Sequence, residues 1–225
     1  MVVVHSFDEP SSAYNPLDQG GQSSIEKEAP INYRDPYSYF VLVNREHGLE
    51  TNFSPSDLRR LNVLDYTGSP ATTMYMRDTA ARAVENLFQA ASDEAGLVLL
   101  ARSAYRSYEE QGQLYDDLVN QLGYVEANRM VGLPGHSEHQ TGLALDVAAY
   151  ASSYIGVPFG YTTHSQWLAE NAHRFGFIIR YPEGREAETG VMFEPWHIRY
   201  VGVEAATEIY ENNWILEEFL RYRTQ

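Results

Sequence analysis

From "YSYFVLVNREHGL" onward, apolar residues recur at spacings that mark regular elements. In "TTMYMRDTAARAVENLFQAASDEAG" (72–96), Met76, Ala80, Ala83, Val84, Leu87, Phe88 and Ala91 return at three- and four-residue steps. That is one face of an amphipathic helix, and Gly96 sits where a helix ends in the left-handed conformation. "LVLLARSAY" (97–105) is a short apolar run, read as a central strand. "SYEEQGQLYDDLVNQLG" (107–123) predicts a helix with Ser107 at its cap and acidic residues in its first turn. "GLALDVAAY" is the next strand, "SQWLAENAHRFG" (165–176) a helix ending at Gly176, and "FIIRY" a strand. "VMFEPWHIRYVG" predicts two short strand pieces broken at Pro195, and "VEAATEIYENNWILEEFLRYR" one C-terminal helix.

Helices bracketing a few strands without strict βαβ alternation indicate an α+β fold, with a small sheet flanked by helices. Residues 1–36 are rich in Ser, Pro, Gly, Gln, Asp and Glu and predict a flexible leader or linker. No internal repeat or second linker follows, so residues 37–225 are expected to form a single domain. No run of about 18 apolar residues exists, so no membrane-spanning segment is expected.

Charge narrows the partners. Sixteen Lys and Arg stand against 31 Asp and Glu, a formal net charge of −15. No basic stripe interrupts this acidity, which argues against a nucleic-acid partner. The balance fits a secreted, highly soluble protein, although many cytosolic proteins are equally acidic. With no cysteine in the chain, disulfides, thiolate zinc ligands and a Cys nucleophile are excluded.

The chemistry concentrates in "GHSEHQTGLALDV" (135–147), where polar side chains precede a stretch that reads as a buried strand. His139 and Asp146 lie seven residues apart with small and apolar residues between them. An unpartnered buried carboxylate or imidazole costs several kcal/mol. Two compensations fit the spacing: a hydrogen-bonded structural pair, or a metal ion. His197 follows Glu194 by three residues in "EPWH". Catalytic zinc commonly takes three ligands from His, Asp and Glu, and His139, Asp146 and His197 supply such a set. Glu194 then remains as a free carboxylate able to take a proton from water. His5, His47, His164 and His173 have no partner pattern and read as structural; His136 reads as a loop residue beside the cluster.

Three segments together resemble the VanY-type D-alanyl-D-alanine carboxypeptidases, in the LAS-type zinc peptidase group that also holds the VanX dipeptidases. "SEHQTGLALD" is similar to their S-x-H-x(6)-D signature, "SAYRSYEEQ" (103–111) to the upstream segment, and "EPWHIRYVG" (194–202) to the closing one. "LVNREHGL" (42–49) and "WLAENAHRFGFIIRYP" (167–182) are similar to less specific framework stretches, so the likeness spans roughly 38–204. The resemblance implies a hedgehog/DD-peptidase-like zinc-peptidase architecture with a small antiparallel sheet. It assigns His139, Asp146 and His197 to Zn²⁺ and Glu194 to the catalytic base and proton shuttle. It gives Arg106 to the substrate or its developing oxyanion, Gln111 and Ser137 to the substrate's C-terminal end, and Trp196 to the pocket wall.

Each of these has a plainer reading: an ion pair with an acidic residue at 109–117 for Arg106, a solvated helix position for Gln111, a turn cap for Ser137. Tyr210 and Tyr222 read as packing residues. The implied activity is removal of the terminal D-alanine from peptidoglycan stem peptides by a monomer acting outside the cytoplasm, with a cytoplasmic location also open. The alternatives are an L,D-carboxypeptidase on tetrapeptide stems, a D-Ala-D-Ala dipeptidase, an endolysin-type L-alanyl-D-glutamate peptidase, and a zinc-stabilised cell-wall-binding module. The stretch "YPEGREAETGVM" (181–192), variable in this group, is expected to shape substrate choice.

Overall fold

The structure, a computed structural model, describes residues 31–149 and 157–224. A two-stranded antiparallel ribbon, β1 (Leu58–Arg60) with β2 (Tyr75–Arg77), precedes helix α1 (Asp78–Ala95). Residues 75–77, expected in the helix, belong to this ribbon, so α1 begins at Asp78. The apolar stripe of α1 is buried through Ala80, Ala81, Val84, Leu87, Phe88 and Ala91, and Gly96 closes it at φ 65°. Helix α2 (Tyr108–Leu122) starts with a complete capping box between Ser107 and Glu110, and α3 (Tyr124–Met130) follows directly. The short α4 (Val157–Gly160), then α5 (Thr163–Asn171), leads through a 3₁₀ turn to Gly176 at φ 84°.

The central sheet is antiparallel, in the order β3-β4-β6-β5. Its strands are β3 (Leu99–Ser103), β4 (Ala144–Ala149), β5 (Phe177–Tyr181) and β6 (Glu194–Tyr200). The two-residue period of strands sorts their side chains onto two faces. Leu145, Val147, Phe177, Ile198 and Tyr200 join α1 in the main core. Ile178 faces the other way and packs with α7 (Val203–Glu211) and α8 (Leu216–Arg223) in a second cluster. Asp146, Arg180, His197 and Arg199 alternate with core residues and fall on that opposite face. Four charged or polar side chains on one sheet face, all buried, demand mutual pairing or a ligand.

Two expectations are corrected here. Strand β6 runs unbroken from Glu194 through Pro195 to Tyr200. Proline is tolerated because the β5–β6 ladder is irregular at that point: from Ile179↔Ile198 to Tyr181↔Glu194 it advances two residues on β5 and four on β6. The C-terminal segment forms two helices rather than one, because Asn213 adopts a left-handed φ of 52° between α7 and α8. Asparagine tolerates that conformation better than most residues. The flexible leader expected over 1–36 falls mostly outside the described residues. Within it, Ile31 and Tyr33 pack against the second cluster. No helix among the described residues is long and apolar enough to cross a membrane.

Candidate metal centre and active-site cleft

The first metal-facing side chain comes from a 3₁₀ turn, Glu138–Thr141, which ends at Gly142 with φ 67°. Only glycine fits there without strain, since an added Cβ would also lie 3.0 Å from Leu58 and 3.1 Å from Arg77. The Gln140 amide ties the turn to the Glu50 and Phe53 carbonyls, each at 3.1 Å. His139 Nδ1 lies 2.7 Å from the Ala104 carbonyl oxygen. A carbonyl only accepts, so that nitrogen carries the proton and Nε2 is left as a free donor atom.

The second and third come from neighbouring strands. Asp146 on β4 is the register partner of His197 on β6. Asp146 Oδ1 is 3.0 Å from His197 Nδ1, and its Oδ2 is 3.3 Å from His139 Nε2. One ligand atom from each of the three residues lies within 4.8 Å of the others, and all three residues are buried. Two imidazole nitrogens and one carboxylate oxygen converging where the three residues line a cleft form a donor set suited to a catalytic divalent metal such as zinc. The surroundings favour positive charge. Burial alone would raise the Asp146 carboxyl, but the two histidines outweigh it and hold it well below the usual carboxylate range. Burial likewise disfavours the His197 imidazolium, yet Asp146 and Glu138 push it up to about 9.

Glu194 approaches His197 Nδ1 to 3.9 Å. Three residues apart on a regular strand, the two would face opposite ways; the irregular ladder around Pro195 turns both toward one cleft. Burial pushes the Glu194 carboxyl up to about 7, with Asp146 and Glu138 adding to that and His197 and Arg106 opposing it. A carboxyl poised there suits proton transfer near neutrality.

The cleft has a volume of about 480 Å³. Arg106 enters it from the β3–α2 connection, where its guanidinium donates to Gln111 Oε1 at 2.6 Å and Ser103 Oγ at 3.0 Å. Gln111 is almost fully buried and donates its amide to the Gly132 carbonyl at 2.7 Å. A solvated helix position for Gln111 is thereby set aside, and Arg106 is held by neutral groups rather than by an acidic residue of 109–117. Ser137 lines the cleft and makes no side-chain cap. Trp196 forms part of the wall while its ring joins the core. Val191 and Met192, from the stretch expected to shape substrate choice, close another side near α6 (Glu186–Thr189). His136 is a loop residue, its Nδ1 2.8 Å from the Asn44 carbonyl. Tyr210 stacks on His173 with ring centroids 3.9 Å apart.

Sequence reasoning passed over two cleft residues. Tyr181 tilts over His197 with ring centroids 5.0 Å apart. Glu138, adjacent to His139, is buried beneath the centre and touches His197, Arg180 and Arg199. The available signal was the pair of arginines inside apolar strands, "FIIRY" and "HIRYV", since buried guanidiniums require a buried anion.

Known proteins resemble this chain in sequence and in fold. The family model described as VanY: D-alanyl-D-alanine carboxypeptidase matches residues 73–203. A D-alanyl-D-alanine carboxypeptidase of Enterococcus faecalis is 42% identical over 192 residues, covering 80% of this chain and 65% of that protein. This chain therefore spans about two thirds of the relative's length. Among solved structures, the LdcB LD-carboxypeptidase superposes with a TM-score of 0.77 at 39% identity, over 84% of this chain and 88% of that one. A vancomycin-resistance D,D-pentapeptidase VanY variant in complex with Zn(II) gives 0.67 at 36% identity, over 82% and 99%.

Proposed function

Because this chain belongs to the VanY family of D-alanyl-D-alanine carboxypeptidases, we propose that it is a zinc-dependent D,D-carboxypeptidase that removes the terminal D-alanine from peptidoglycan stem peptides. The observation that carries the reading is the convergence of His139 Nε2, Asp146 and His197 Nδ1 beside the partly buried carboxylate of Glu194. His139, Asp146 and His197 hold the zinc. Bound there, zinc supplies Lewis acidity, polarising the scissile carbonyl and easing ionisation of water.

The chain's own residues do the rest. Glu194 accepts a proton from the attacking water as oxygen bonds to the carbonyl carbon, then delivers it to the leaving nitrogen as the C–N bond breaks. The products are a shortened peptide with a new carboxylate and a free amino acid. That amino acid carries its own carboxylate, and Arg106 is the cation placed to receive it. A guanidinium presents paired donors that match a carboxylate, and Ser103 and Gln111 fix its plane. In a chain of net charge −15, the zinc and Arg106 create the local positive field that an anionic peptide end needs. Ser137 and Trp196 border the same end of the substrate. That all these groups come from one chain supports reading it as a monomer, and a cell-wall substrate supports reading its action as outside the cytoplasm.

Cleavage of an L,D bond is the second reading, supported by the superposition on the LdcB LD-carboxypeptidase. Mass spectrometry of synthetic stem pentapeptides and tetrapeptides incubated with the zinc-loaded protein separates the two. Release of D-alanine from the pentapeptide alone supports the D,D reading; release from the tetrapeptide alone overturns it.

A further inference from the structure

Both metal-facing imidazoles are fixed through their far nitrogens, by chemically different partners. His139 is held through Nδ1 by a neutral carbonyl, that of Ala104, at 2.7 Å. His197 points its Nε2 at a carboxylate, Glu138 Oε2, at 3.3 Å. The two oxygens of Glu138 divide their work. Oε1 accepts from Arg180 Nε at 2.8 Å and from Arg199 Nη1 at 2.5 Å, leaving Oε2 to His197. Every guanidinium nitrogen of the two arginines is hydrogen-bonded. Arg180 forks onto Glu217 of α8 at 2.9 and 2.6 Å, and Arg199 donates to the carbonyls of Tyr39, Val41 and Tyr200. Arg180 and Arg199 have no solvent exposure, and Glu138 has 2%.

We propose that Glu138 is a positioning residue of the metal centre: clamped through Oε1, it accepts from His197 Nε2 and so presents Nδ1 to the ion. The inference rests on the metal reading of His139, Asp146 and His197 and deepens it. Both arginines are met through Oε1 alone, so a network serving stability alone has no need to turn Oε2 onto an imidazole. With the carboxylate on Nε2, the ring has one orientation and one tautomer in which Nδ1 is a lone-pair donor, and its basicity rises. One short turn therefore supplies a ligand, His139, and through the preceding residue sets the other histidine, which lies far along the chain.

The test compares zinc affinity, by chelator competition, in wild type, Glu138→Gln and Glu217→Gln. A glutamine whose oxygen stays on the arginines turns its NH₂ toward His197 Nε2, so that nitrogen must accept and Nδ1 keeps the proton. Zinc affinity is expected to fall about tenfold to a hundredfold in Glu138→Gln, as for other partners of metal ligands. Glu217→Gln, which removes charge from the same network without touching His197, is expected to bind zinc as wild type does. Equal affinity in Glu138→Gln and wild type, or an equal loss in both variants, overturns the proposal. Should Glu138→Gln fail to fold, nitrogen-15 spectra of histidine in the zinc-loaded wild type decide: metal on His197 Nδ1 with a proton on Nε2 supports it, and the reverse overturns it. A wild type that takes up no zinc is a distinct result and fails the metal reading itself.

Discussion

Asp146 and His197 stand opposite each other across the β4–β6 ladder, and the Asp146 carboxylate spans both histidines of the centre. The placement follows from strand register. Had β4 slipped by one residue against β6, Asp146 would enter the core and Leu145 and Val147 would leave it. The sheet therefore serves as the ruler for the metal site, while the 3₁₀ turn adds His139 from the side.

Glu194 is close to the centre without being needed as a ligand. Glu194→Gln is expected to lower D-alanine release by about a hundredfold to ten-thousandfold, the usual contribution of a positioned general base, with zinc content unchanged. Metal analysis alongside the activity assay checks this. Parallel loss of zinc and activity would make Glu194 a ligand instead.

Arg106 is expected to act on the substrate's terminal carboxylate. Hydrogen bonds to charged groups contribute about 1.5–3 kcal/mol, so Arg106→Ala should lower kcat/KM by roughly tenfold to a hundredfold. Arg106→Lys should recover little of it, because an ammonium cannot reproduce the planar fork. The loss should shrink for a substrate whose terminal carboxylate is amidated, as steady-state kinetics on paired peptides would show.

Metal removal should reach the fold as well as the chemistry, since an ion held by His139, Asp146 and His197 would tie β4, β6 and the 3₁₀ turn together. Zinc at a hundred times its Kd stabilises by about 2.7 kcal/mol. For a domain of this size each kcal/mol moves Tm by about 2–4 °C. Thermal unfolding with and without chelator should therefore differ by about 5–10 °C.

Arg180 tests the buried network as a stability element. Arg180→Ala strands Glu138 and Glu217 with weakened pairing in the interior, and breaking such a pair costs about 3–5 kcal/mol. Leu87→Ala, which opens a cavity beneath α1 where the leucine is fully buried, should cost about 2–5 kcal/mol. Urea unfolding measures both, and an Arg180→Ala variant as stable as wild type would show the network to be dispensable.

Much of this was legible in the chain because the signals are local. The α1 stripe, the Ser107 cap and the terminating glycines Gly96 and Gly176 need only nearby residues, and they appear where expected. The ligand trio was legible as a set, its assembly only through resemblance to a family. The strand order that sets Asp146 against His197 is a tertiary choice with no local mark. Pro195 reads as a break in isolation, and only the irregular β5–β6 ladder makes it compatible with a continuous strand. Glu138 escaped notice because its meaning lies in Arg180 and Arg199, 42 and 61 residues away.

The most direct test of the three-residue centre is the zinc content of the purified protein, determined together with D-alanine release from a stem pentapeptide. The account predicts one zinc per chain in wild type, release abolished by chelator and restored by added zinc, and neither zinc nor release in His197→Ala. Full release by the chelated, metal-free protein, or undiminished zinc in His197→Ala, would contradict it.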